Sequence, residues 1–301
     1  TFLFSFAVDF LNLLYIYMGK SIILSTDNIE AGSNNTKLVY NFPAGGYNFK
    51  SDQIALQSLY QYFSIFNITT SYDNNSFSYV WFDGLEYTVT IPDGYYEVSD
   101  LNSYFQSIMI ANTHYMTNTA GQYVYFLEFV VNTSRYATQI NAYELSTTIQ
   151  TLNSYSLPAG ASWSVPSSTL QPLFKVNTTA FGELLGYVVG SYPTTQTSGT
   201  ISFLSSSAPQ ITPYSSILVS CSLVNNRAII PSNILTSYTP LGTSVGSILK
   251  YEPPYIQFAD IDDGQYTQIT IEFRDQLGRS IVIQDPNMLI TLYTKKTTER
   301  I

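Results

Sequence analysis

Residues able to do chemistry are few and scattered. His114, in ANTHYM, is the one histidine of 301 residues, so neither a His metal cluster nor a paired His base has a second member. At the end of a helix a lone His caps the last carbonyls or faces solvent. Cys221 is the one cysteine, which rules out thiolate zinc sites and internal disulfides. In SSILVSCSLV, Val219, Cys221 and Leu223 alternate with Ser220 and Ser222, the pattern of a strand holding a buried, inert thiol. Asp260-Ile261-Asp262-Asp263-Gly264 suggests a calcium loop, but an EF-hand needs its Gly in sixth place and a Glu in twelfth. Here the Gly is fifth and no Glu follows at that spacing. DDGQY reads instead as a hairpin turn between YIQFADI and YTQITIEFR. Met18-Gly19-Lys20-Ser21 is no P-loop, because Leu14 stands where the earlier Gly belongs. It is no myristoylation signal either, because Ile23 occupies the Ser/Thr place. Glycosidases need two carboxylates roughly 5 or 9 Å apart, and outside the Asp260–Asp263 turn no acidic pair stands out. The sequence therefore assigns no catalytic, cofactor-binding or metal-binding residue, and neither enzyme activity nor a cofactor is expected.

Function then has to come from packing and surface. Charged residues make up 11% of the chain, against 26 Tyr and 18 Phe. Aromatic and β-branched residues suit pleated, half-buried surfaces, so the class is mainly β. Sparse charge with abundant Tyr suits a surface covered by neighbours; an ordinary extracellular β-sandwich shares the same composition. The net charge of −9 argues against nucleic acid, since only Lys295-Lys296 and Arg300 form a basic stretch, and that reads as a solvated end. A chain without disulfides is compatible with assembly in a reducing cytoplasm. The N-terminal run TFLFSFAVDFLNLLYIY looks like a membrane segment, but it contains Asp9 and Asn12 and lacks a basic flank and a cleavage site. No membrane span is expected. Residues 1–17 are either upstream of a start at Met18 or an arm that docks on a neighbour. Five N-x-S/T sequons, beginning at Asn34, Asn67, Asn74, Asn132 and Asn177, are as many as a chain this rich in Asn, Ser and Thr would hold by chance.

Along the chain, the strands KLVYNF, SLYQYFSIFNIT and FSYVWF are separated by turn clusters such as Pro43-Ala44-Gly45-Gly46. Tyr87–Ile91 alternates as a strand and is stopped by Pro92-Asp93-Gly94. Ser99 or Asp100 then caps a helix whose apolar stripe is Leu101, Tyr104, Phe105, Ile108 and Met109. Tyr123–Val131 reads as a strand buried on both sides, residues 143–176 as a long surface elaboration, and Thr179–Leu185 as a short helix ended by Gly186. The C-terminal third returns to strands (ISFL, SSILVSCSLV, YIQFADI, YTQITIEFR, SIVIQ, MLITLY) with no fixed repeat, which disfavours propellers and solenoids. Long loops between short strands favour a single jelly-roll sandwich of two antiparallel four-stranded sheets with one or two short helices. The expected division is an N-terminal arm over 1–35 and one jelly-roll domain over 36–301, with a loop or insertion around 143–176.

Three stretches carry a resemblance: TVTIPDGYYEVSDLNSYFQ (Thr88–Gln106), FGELLGY (Phe181–Tyr187), and the run SCSLVNNRAIIPSNILTSYTP…YEPPYIQFADIDDGQYTQITIEFRDQLGRSIVIQDPNMLITLY. Together and in this order they resemble the penton, or minor capsid, proteins of virophages of the Sputnik type and their polinton-like and large-DNA-virus relatives. The resemblance covers most of residues 36–295. It implies a structural protein with an upright single jelly roll, five copies of which form the vertex capsomer of an icosahedral shell. The implied partners are its own copies and the double-jelly-roll hexamers of a major capsid protein, in a virion assembled in the host cytoplasm. It implies no catalytic residues. A jelly-roll carbohydrate-binding or receptor-binding surface protein is the competing class. It would bind glycan through exposed aromatics, Trp81 and Trp163 beside the many Tyr, and would be monomeric or dimeric.

Overall fold

The computed structural model describes residues 19–240 and 242–297; the N-terminal apolar run and Arg300 lie outside the described residues. The chain forms two compact units, one built from the chain up to Phe66 together with the chain from Tyr214, the other from Asn67–Pro213.

The first unit holds eight main strands: Lys20–Ser25, Lys37–Asn41, Asp52–Tyr62, Ile217–Cys221, Ile234–Tyr238, Ile248–Tyr251, Gln268–Asp275 and Met288–Lys296. Counted in that order, the first pairs with the eighth, the second with the seventh, the third with the sixth and the fourth with the fifth, all antiparallel. That is one long hairpin rolled up on itself. The sheets run first–eighth–third–sixth and second–seventh–fourth–fifth, the strand order of a jelly roll with two four-stranded sheets. Alternation decides which side is buried. In Gln268–Asp275, Ile269, Ile271 and Phe273 are buried, while Glu272 and Arg274 face outward. A buried bond from Gln61 Nε2 to the Tyr238 hydroxyl, 2.9 Å, ties one sheet to the other.

Several expectations change here. Lys20–Ser25, placed in an arm by the sequence pattern, is the first strand of the sandwich; its KSIILS hides behind the longer apolar run. The segment between the third and fourth strands is a whole unit, Asn67–Pro213, rather than an insertion at 143–176. Gly264 does not turn a hairpin: Gly264–Tyr266 pairs with Tyr47–Phe49. SIVIQ forms only isolated bridges, although Ile281 and Ile283 are buried.

The inserted unit has a four-stranded sheet, ordered Gly190–Tyr192, Leu173–Val176, Ser76–Val80 and Glu86–Thr90. A three-stranded sheet is ordered Ile201–Leu204, Ala137–Ala142 and Leu127–Asn132. Its helices are α1 (Val98–Ala111), α2 (Thr147–Asn153) and α3 (Thr179–Leu185). Residues 143–176, expected at the surface, thus supply α2 and an inner strand, with Phe174 fully buried. Four residues suffice for a central strand because strands flank it on both edges, so no long periodic signal is needed. Tyr123–Val131 breaks at Tyr125 and Phe126, and beyond the break only Leu127 and Phe129 point inward; Val130 and Val131 are exposed.

α1 begins one residue before the expected caps. Asp100 sits inside its first turn and accepts the Glu97 N–H through Oδ2 at 2.9 Å. Its buried stripe is Val98, Leu101, Phe105 and Met109; Tyr104 and Ile108 are only half-buried. Phe105 of α1 and Phe181 of α3 meet on Phe77, with ring centroids at 5.2 and 5.3 Å. The first two stretches of the resemblance therefore fold into one aromatic core, and the third lies in the jelly roll.

α3 keeps the expected ends: Thr178 Oγ1 accepts the Phe181 N–H, and Gly186 closes it at φ +78°. Gly182 lets the helix seat closely, because a Cβ there would lie 2.4 Å from the Tyr187 carbonyl oxygen and 3.1 Å from Val176. Gly182→Ala should lower stability by about 1–3 kcal/mol through overpacking, although alanine is the better helix former. Both tryptophans lie in this unit, so the urea midpoint followed by tryptophan fluorescence reads it directly. A midpoint that stays or rises would contradict the close seating of α3.

Candidate functional site

His114 follows α1, and its backbone N–H bonds the Met109 carbonyl at 2.7 Å. The expected carbonyl cap is thus made by the backbone, while the side chain is 1% exposed and turns inward rather than to solvent. Nδ1 lies 2.8 Å from the Tyr79 hydroxyl, which also accepts from Asn112 Nδ2 at 2.9 Å. With the hydroxyl accepting from Asn112, donation of its own proton to Nδ1 is the arrangement that leaves that proton paired, with a neutral imidazole as the acceptor. The ring stacks on Trp81 at 4.8 Å and 11°, and meets Tyr87 edge-on at 4.5 Å. Burial pushes the imidazole pKa down to about 4, opposed only weakly by Asp83, and pushes the Tyr79 phenol well above its usual value. A neutral, enclosed imidazole with its acceptor in use is a packing element.

The other candidates are likewise occupied by structural work. Cys221 is fully buried, and burial raises its thiol to about 12, far from a reactive thiolate. In the acidic turn, Asp260 accepts from Gln53, Asp262 from Asn225 Nδ2, and Asp263 from the Ser51 N–H, at 2.6–2.8 Å. Asp260 and Asp263 thus hold the segment 51–53 and Asp262 the loop at Asn225, and they do not converge as a calcium cage would require. Among the described residues no group of three His, Cys, Asp or Glu is placed to hold a metal, and no helix is long and apolar enough to cross a membrane. Trp81 and Trp163, the candidate glycan platforms, are buried at 0% and 5% exposure and meet edge to face at 5.3 Å. Asn67 and Asn74 of the sequons are buried as well.

What the jelly roll does present is apolar surface that the sequence pattern did not locate. Two adjoining hollows, of about 540 and 490 Å³, share Leu218 and Ile234 and are bordered by Ile229, Ile230, Tyr255 and Leu277. Ile230 is 97% and Tyr255 83% exposed. The alternation that buries Val219 and Cys221 forces Leu218 outward, so a leucine stands on the solvent face of that strand. Glu272 and Arg274, beside the second hollow, pair with each other at 2.8 Å. The trough therefore offers apolar floor and self-neutralised charge, the chemistry of a surface that a partner covers. The inserted unit differs: Asn67–Pro213 holds nine acidic side chains against Arg135 and Lys175, so it carries most of the net charge of −9. The signal for the trough in the sequence was the pair Ile229-Ile230, apolar residues in a loop with no periodic partner.

No protein-family profile matches the chain, and no curated protein matches it. Among solved structures, the chain is similar to the crystal structure of a selenomethionine-labelled mavirus penton protein, with a TM-score of 0.42 and 9% sequence identity, over 94% of this chain and 99% of that one.

Proposed function

We propose that this protein is a structural component of an icosahedral virus shell, occupying the five-fold vertices as a homopentamer that contacts major-capsid hexamers. The observation that carries the reading is the rolled-hairpin strand order of the first unit. The C-terminal stretch that resembles virophage pentons supplies its fifth and seventh strands and most of its eighth. The apolar trough beside Leu218 and Ile230 supports it, because a closed ring needs one patch meeting a different patch on the next copy. Few ions on that face need desolvation when it is covered. The burial of Trp81 and Trp163 removes the strongest platforms for the carbohydrate-binding alternative.

Reconstruction of assembled particles tests this. Density for five copies is expected at each vertex, and Ile230→Asp is expected to leave the urea midpoint for labelling of the buried Cys221 thiol unchanged while abolishing incorporation. Vertex density that cannot accommodate the chain, or the chain found elsewhere in the shell, would overturn the assignment. A monomer in dilute solution would not, since surrounding hexamers hold such a ring together by mass action.

A further inference from the structure

Lys20–Ser25 is the edge strand of one sheet of the jelly roll and Lys37–Asn41 the edge strand of the other. A groove of about 450 Å³ lies beside them, lined by Ile22, Ile23, Tyr40, Phe42 and Tyr47. Four consecutive residues, Lys20 to Ile23, line it. Since successive side chains of a strand point to opposite faces, a groove touching all four runs along the backbone edge and not over one face. Edge strands present unpaired N–H and C=O groups and normally carry a charge, a bulge or a cover. This one carries Lys20 at its start but presents Ile23, 55% exposed, further along, and among the described residues no strand pairs with its outer side.

The sequence contains a segment suited to that edge. Residues 4–10, FSFAVDF, place Phe4, Phe6, Val8 and Phe10 on one side and Ser5, Ala7 and Asp9 on the other, the two-residue period of a strand with one apolar face. The described chain begins at Gly19, next to Lys20 at the groove. The connection through residues 11–18 spans up to about 26 Å when extended, enough to turn back on the groove. So short a tether holds the segment at roughly millimolar effective concentration, which favours its own chain over a neighbour's.

We propose that residues 4–10 add as an extra strand to the outer edge of Lys20–Ser25 of the same chain, seating Phe4, Phe6, Val8 and Phe10 in the groove. Main-chain bonds along the edge and alternate side chains in a slot are the ingredients of strand addition. Amide exchange followed by NMR on the full chain tests it. Every amide of residues 20–25 is expected to be protected. In a chain beginning at Met18, alternate amides, those pointing to the outer edge, should exchange at least about tenfold faster, as an unpaired edge does. The full-length double variant F6S/V8S should reproduce that pattern, whereas A7S should not, so a truncation that fails to fold leaves the result readable. Mild oxidation of Ile23→Cys paired in turn with Ser5→Cys, Ala7→Cys or Asp9→Cys should give a disulfide within one chain. Alternating fast exchange already present in the full chain, or disulfides formed only between chains, would overturn the proposal.

Discussion

Replacing Asn67 by alanine should lower the stability of the inserted unit by about 3–4 kcal/mol. Asn67 is fully buried at the start of that unit. Its Nδ2 donates to the carbonyls of Tyr96 and Ile211, both at 2.7 Å, and its Oδ1 accepts the Tyr96 N–H at 2.9 Å. Its own carbonyl accepts from Asn74 Nδ2, whose Oδ1 takes the Thr69 N–H. One amide thus joins the beginning of the unit to its end at Ile211 and to the turn before α1. Alanine removes three side-chain bonds and leaves a buried N–H and two carbonyls unpaired. Each such loss costs about 1 kcal/mol or more where water cannot replace the partner. Asn67→Asp should cost more still, since a carboxylate oxygen would face the carbonyls that now receive N–H groups. Tryptophan fluorescence in urea reads this unit, and labelling of the buried Cys221 thiol reads the jelly roll. A tryptophan midpoint that does not move in Asn67→Ala, or an Asn67→Asp variant as stable as the wild type, would refute this role.

The elements legible in the sequence were those whose period is complete within one segment. Gln268–Asp275 alternates over its whole length and is a half-buried strand, as its alternation implies. α3 carries its cap, its core residues and its stop within Thr178–Gly186, and its bounds came out unchanged. What stayed hidden was set by long-range pairing. Leu173–Val176 is too short to show a period and becomes an inner strand only because Ser76–Val80 and Gly190–Tyr192 flank it. The extent of the inserted unit depends on Asn67 reaching Ile211, a contact between residues 144 positions apart that no local pattern announces.

The same limit governs the candidate site. Single His and Cys residues could be judged from counts alone, because metal and thiol chemistry need partners that a census rules in or out. An interaction surface has no such census. The trough joins Leu218, Ile234 and Leu277 from separate elements, and only the pairing register turns Leu218 outward. In a chain with 45% hydrophobic residues, a lone half-buried leucine on the outer face of a strand is invisible until the opposite face is seen to be full.

Acidification should destabilise the inserted unit through His114. The imidazole pKa is lowered by burial from an ordinary 6.5 to about 4 in the folded chain, so between these values the unfolded chain binds the proton and the folded one does not. The neutral imidazole therefore contributes stability that is fully present above pH 6.5 and is lost as the pH falls toward 4. At pH 4.5 the loss is roughly 2.5 kcal/mol relative to pH 7.5, because each tenfold difference in proton affinity between the two states is worth about 1.4 kcal/mol. The groups facing the ring are Tyr79, Trp81 and Tyr87, with Asp83 bonded to the Tyr87 hydroxyl at 2.7 Å. None of these supplies a carboxylate in contact with the ring to compensate an imidazolium. His114→Phe removes the titration while keeping a ring against Trp81. The variant starts less stable at pH 7.5, because the Tyr79 hydroxyl loses its acceptor, but it should lose correspondingly less stability on acidification than the wild type. Carboxylates titrate in both proteins, so the difference between the two pH responses isolates the histidine. Urea midpoints by tryptophan fluorescence at pH 7.5 and 4.5 give that difference directly. Equal losses in the two proteins would mean that His114 is free to take up its proton in the folded chain, and the enclosed packing of the α1 terminus against Trp81 would then be wrong.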